Sequence, residues 1–178
     1  MKKESYEYRC QMAEMHDEFK KRLEDALAQE QYVEATWLCY AIFEQRTQRL
    51  IEKHIAKCPK QKRSSDAPPV SISTKILCIK KLSKIGYGAY SGFDRKLLTE
   101  IIIWCKERNR LVHSLLRVDT YRSYDKDFKA LACEGELLVN CLYEEATKVR
   151  NWCYSNNQFG KFPEIKCKCT NRCILEEG

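Results

Sequence analysis

The chain has 178 residues and a formal net charge of +7, with 32% charged residues against only 6 glycines and 4 prolines. That length is enough for one domain with its own core, and so few breakers point to helices. No run nears the roughly 18 apolar residues of a membrane span, and "MKKESYEYRC" lacks the apolar centre of a secretory leader, so a cytoplasmic protein is expected.

A first amphipathic helix is expected over residues 4–29, where Tyr8, Met12, Met15, Phe19, Leu23 and Ala26 recur at helical spacing and His16 lies at the core edge. A second helix covers 31–57. Its first half is apolar almost all round, which predicts the most buried helix of the set. Residues 58–74 form a Pro/Ser/Lys-rich loop. The short stretch "TKILCIKKLSKI" reads as a helix that stops at Gly86, a residue suited to the left-handed position past a helix end. After a Gly- and Tyr-rich turn, Asp94 is a good N-cap for a helix that runs to about Leu116. The last long helix spans 124–155, with Phe128, Leu131, Leu138, Val139, Leu142, Ala146 and Val149 on its stripe. Gly135 lies on the same stripe, where the missing side chain lets another helix approach closely. Residues 156–178 show no helical period. The expectation is an all-α protein, a bundle of about four to five helices over 1–155 that carries the 58–74 loop, followed by an irregular cysteine-containing tail.

Eleven cysteines, an odd number, suggest free thiols in a reducing compartment. Cys39, Cys78, Cys105, Cys133 and Cys141 fall inside helical patterns and read as small hydrophobes.

The stretch "WCKERNRLVHSLL", residues 104–116, carries the chemistry. On a helical wheel, Leu97, Ile101, Trp104, Cys105, Leu111, Val112 and Leu115 share a face, and Arg108 projects from its centre. An arginine does not shed its proton on burial, so it needs a buried carboxylate, an anion, or both. Glu44 falls in an apolar stripe of the second helix with Val33, Trp37, Tyr40, Ile51 and Ile55, which suggests a Glu44–Arg108 pair. Asn109 and His113 stand one turn apart at the edge of the Arg108 face, and an arc of about 140° separates Arg108 from His113. Arginine binds phosphate through two donors, histidine moves protons near neutral pH, and asparagine orients either group.

"RNRLVH", residues 108–113, resembles the R-x4-6-H signature of the HEPN superfamily (higher eukaryotes and prokaryotes nucleotide-binding domain), in which a polar residue, here Asn109, often follows the arginine. "YVEATWLCYAIFEQRTQRLI" is similar to that family's apolar helix with an internal glutamate, and the resemblance covers roughly residues 5–155. It implies a HEPN-like helical domain and a metal-independent endoribonuclease with no cofactor, acting as a toxin or antiviral effector. It implies a homodimer with a composite active site, RNA as substrate, and an antitoxin or other regulatory protein as a further partner. Arg108, Asn109 and His113 would be catalytic, and Glu44 would support Arg108. In members regulated by nucleotidyltransferases a tyrosine two residues past the histidine receives AMP. Here that residue is Leu115, so the resemblance does not extend to that regulation.

Lys80, Lys81, Lys84 and Arg110, with Tyr87 and Tyr90 as stacking platforms, would follow RNA. Cys153 with Cys167, Cys169 and Cys173 could form a zinc site, although the spacing C-x-C-x3-C lacks paired knuckles, and a reduced tail is the plainer reading. Two alternatives stay open: a non-catalytic helical module that binds RNA or a nucleotide, and a structural dimer with a buried Glu44–Arg108 pair.

Overall fold

A computed structural model describes residues 6–55, 71–86, 88–115 and 122–156. These form an all-α helical bundle: α1 (Tyr6–Ala28), α2 (Tyr32–Ile55), α3 (Ile72–Lys84), a 3-10 turn at Gly88–Tyr90, α4 (Arg95–Leu115) and α5 (Arg122–Ser155). Among the described residues there is no strand, and no helix is long and apolar enough to cross a membrane. Residues 58–70, Tyr87 and the tail from residue 157, with Cys167, Cys169 and Cys173, lie outside them.

The helix ends follow local chemistry. The Ser71 oxygen accepts from Thr74 N at 3.2 Å, so α3 begins at Ile72, two residues before its expected start. Gly86 ends it with φ +66°, open to glycine without steric penalty. The Asp94 carboxylate accepts from Lys96 N at 2.7 Å and Leu97 N at 3.3 Å and starts α4. Between α1 and α2, Glu30 takes φ +57°, and Gln31 N donates to Ala26 O at 2.8 Å.

The chain forms two compact units, and α2, α4 and α5 each contribute residues to both. The first holds α1, α2 up to Ile42, α4 from Trp104 and α5 up to Val139. Its core includes Leu23, Ala35, Cys39, Trp104, Leu111 and Phe128, and His16 is buried as well. Trp104 is fully buried and its indole N–H donates to Leu131 O at 2.8 Å. Gly135 sits directly against it. A Cβ there would lie 2.9 Å from Trp104 Cζ2 and 2.9 Å from Cys39 Sγ. The close approach expected at this glycine is therefore present.

The second unit holds the rest of α2, α3, the start of α4 and the end of α5. Phe43, Ile51, Ile76, Ile79, Leu98, Ile101 and Leu142 are buried in it. Tyr90, expected to stack on bases, is buried instead and donates to Leu50 O at 2.5 Å. Two buried charges here are paired. Lys75 donates to Glu44 at 3.3 Å. Glu145 accepts from Asp94 N at 3.0 Å and from Lys148 at 2.5 Å.

Cys39, Cys78, Cys105 and Cys153 are buried free thiols, whereas Cys133 and Cys141 are exposed and do not serve as core. Burial pushes the Cys39 thiol up to about 12, with Glu136 adding to the rise. It pushes Cys105 to about 12 against the opposing pull of Arg108. A thiol whose folded value is raised stabilises the fold fully below its unfolded value of 9.0 and loses that contribution as pH rises toward 12. Urea unfolding should thus show stability falling above about pH 9, by less in a Cys39→Ala/Cys105→Ala protein than in the parent. Equal falls would show that these thiols do not set the alkaline limit.

Gly135→Ala gains about 1 kcal/mol of helix propensity but forces a clash with a hydrogen-bonded tryptophan, an overpacking effect of about 1–3 kcal/mol. Its urea midpoint should fall. An unchanged or higher midpoint would mean that Trp104 moves aside freely.

Candidate functional site

Arg108 stands on α4 between Trp104, Cys105 and Leu111, all buried, so the register of the helix carries it inward. It retains 7% of its possible exposure. Its guanidinium carbon lies 3.8 Å from the centre of the Trp37 ring and 4.8 Å from that of Tyr40. Nη1 donates to Asn109 Oδ1 at 3.1 Å, whereas Nε and Nη2 are covered and have no hydrogen-bond partner. Burial holds Arg108 below the ordinary arginine value, with Tyr40 and Cys105 opposing that shift. The group remains a cation at neutral pH.

The expected Glu44–Arg108 pair is not formed. The Glu44 carboxylate is half exposed and pairs with Lys75, and two aromatic rings take the place of a counterion at Arg108. The α2 stripe drawn through Val33 and Trp37 is also corrected. Val33 is 38% exposed and Trp37 52%, while Tyr32, Ala35, Leu38, Cys39 and Ile42 form the buried line. An almost wholly apolar half-helix does not reveal on a wheel which side faces out.

Asn109 and His113 are both exposed, one turn apart on α4. Val112 is half-buried and Leu115 exposed, so the apolar face of α4 thins toward its end, where His113 stands. Arg110, expected to contact RNA, holds Glu107 through both carboxylate oxygens, at 2.6 to 3.0 Å. In the second unit Lys80 donates to Thr99 at 2.6 Å, Lys81 is half-buried and also carries an interaction, and Lys84 is exposed. Of the proposed zinc ligands only Cys153 lies among the described residues, where it is buried. No cluster of metal-binding side chains occurs among those residues.

The chemistry assembled here is that of a caged cation. A guanidinium with two unused donors, held against aromatic faces, can receive an oxyanion. An exposed amide and an exposed imidazole follow it on the same helix. Trp37 was placed on α2 by the sequence but not assigned to the site; its signal was an indole in a helix otherwise rich in smaller apolar residues. Comparison of the chain with known protein families, with curated proteins and with solved structures finds no match. The likeness of residues 108–113 to the HEPN signature rests on the residues themselves.

Among the described residues, removing Arg108 strands no carboxylate. Arg108→Met keeps an apolar stem and deletes two unsatisfied donors, a gain of about 1–3 kcal/mol, against an aromatic–cation attraction of about 0.5–2 kcal/mol. Its urea unfolding free energy should equal or exceed the parent's. Glu44→Gln should instead lose about 1–3 kcal/mol, because it leaves the buried Lys75 ammonium without its anion, a loss moderated by water at the half-exposed Glu44. A collapse of Arg108→Met would make the arginine a packing element.

Proposed function

We propose that the protein is a metal-independent endoribonuclease of HEPN type, with Arg108, Asn109 and His113 as its catalytic group. The observation that carries this reading is the buried Arg108 with two unpartnered donors, followed on one helix by an exposed Asn109 and an exposed His113. A buried cation with unused donors is unfavourable unless an anion completes it. In RNA that anion is the phosphodiester.

In this mechanism a phosphate oxygen replaces Asn109 Oδ1 on the arginine fork while the guanidinium keeps its place over Trp37, and the ribose beside that phosphate turns toward the exposed edge of α4, where His113 stands. The 2′-oxygen forms a bond to the adjacent phosphorus as its proton passes to a base. The P–O5′ bond breaks, and the departing oxygen takes a proton from an acid. The products are a 2′,3′-cyclic phosphate and a 5′-hydroxyl. Base and acid act at different oxygens, and each chain offers His113 alone in this position. A second copy would supply the other imidazole across a two-fold axis. Arg108 stabilises the extra charge that builds on the phosphoryl oxygens. The cellular setting proposed is a toxin or antiviral effector held in check by a regulatory protein.

Purified protein mixed with total cellular RNA in EDTA should cut it. His113→Ala should lower the rate by about 10²-fold or more, and Arg108→Met by about 10²–10³-fold, with both variants folded. RNA bound but left intact by the parent would replace the enzyme reading with that of a binding module. Undiminished cleavage by His113→Ala would remove the histidine from the mechanism.

A further inference from the structure

Trp37 lies at two features of the first unit. Arg108 covers one face of its ring, and the same indole lines a crevice of about 690 Å³ with Glu30, Gln31, Tyr32, Val33, Glu34 and Asp125. All of these residues belong to the first unit. Glu30 is already engaged, accepting from the Tyr32 hydroxyl at 3.2 Å and facing Lys129 at 3.9 Å. Glu34 and Asp125 are exposed and take part in none of the ion pairs among the described residues. In a chain of net charge +7, two carboxylates outside those ion pairs thus share a crevice with the half-exposed indole that also meets the buried Arg108.

We propose that this crevice is a guanine-binding subsite, in which the base stacks on Trp37 and presents its Watson–Crick edge to Glu34 or Asp125. Carboxylates repel a phosphate, so the nucleic-acid backbone stays on the Arg108 side and a base turns toward the crevice. Ionised carboxylates only accept hydrogen bonds. Guanine alone among the four RNA bases carries two adjacent donors, N1–H and the N2 amino group, that match the two oxygens of one carboxylate. Adenine and cytosine set a ring-nitrogen acceptor beside their amino group, and uracil flanks its single N–H with two carbonyls. Each of these turns a lone pair toward the carboxylate. A purine also offers the larger ring for stacking, and stacking on an exposed aromatic side chain is a common means of holding an unpaired base. The cation packed behind the indole fixes the ring, so little freedom is lost when the base arrives.

The subsite takes its place beside a scissile phosphate from the ribonuclease reading, and it is tested by binding and by the base preference of cleavage. Calorimetric titration of the full chain with the four ribonucleoside 5′-monophosphates should give GMP the lowest Kd, by about tenfold or more over AMP. Trp37→Ala should weaken GMP by about tenfold. The Glu34→Gln/Asp125→Asn protein, altered only at exposed positions, should bring GMP and AMP within about threefold of each other. Equal affinities in the parent, absence of binding by any of the four, or selectivity unchanged in the double variant would each overturn the subsite. RNA cleavage without preference for guanine would overturn it too, and would leave the nuclease standing. Guanine-selective binding without cleavage would support the subsite and remove the nuclease.

Discussion

The Arg108 guanidinium is the constraint around which its part of the molecule is arranged. It cannot neutralise itself, it is buried, and among the described residues no carboxylate pairs with it. What keeps it there is the register of α4. Trp104, one turn earlier, is locked by its bond to the Leu131 carbonyl and by the bare backbone of Gly135. Cys105 and Leu111 are buried on either side of Arg108. To expose the arginine by rotating the helix would drag all three out of the core. Burying large apolar side chains of this kind is worth about 1.5–3 kcal/mol each, more than the unfavourable burial of two unused donors, about 1–3 kcal/mol. The helix therefore holds its own awkward charge in place.

The same chain shows how a buried charge is treated when structure alone is at stake. Lys75 has Glu44, and Glu145 has both a backbone N–H and Lys148. These pairs close their own electrostatics and offer nothing to a ligand. Arg108 differs in kind. Aromatic faces attract its charge without occupying its hydrogens, so the donors stay available while the cation is tolerated. That distinction, rather than burial itself, separates a charge whose donors are taken from one whose donors are left over.

Much of this was legible in the sequence. Capping at Asp94, the stop at Gly86, the close approach at Gly135 and the inward placement of Arg108 follow from local chemistry and helical period. The partner of Arg108 was not legible, because it depends on which side of α2 turns outward, and that half-helix is apolar nearly all round. The Lys75–Glu44 pair had a signal that went unread. Lys75 is flanked by Ile72, Cys78 and Ile79 at helical spacing, the same pattern that marks Arg108, although Lys80, Lys81 and Lys84 follow it on the same helix. Tyr90 was misplaced for a related reason. A tyrosine in a Gly-rich turn looks exposed until a carbonyl such as that of Leu50 is known to meet its hydroxyl.

The aromatic solution at Arg108 has a consequence for its neighbour. A carboxylate counterion would leave nothing for a nucleic acid to use. A tryptophan has two faces, and a buried cation needs only one. Trp37 is 52% exposed, and it both meets the Arg108 guanidinium and lines the crevice. Charge divides the two sides further. The cationic side favours a phosphate, and the side lined by Glu34 and Asp125 favours hydrogen-bond donors. A ribonucleotide has both, a backbone anion at one end and a donor-bearing base edge at the other. In the proposed subsite, one indole between them would let the two halves of such a ligand be held at once without placing like charges together.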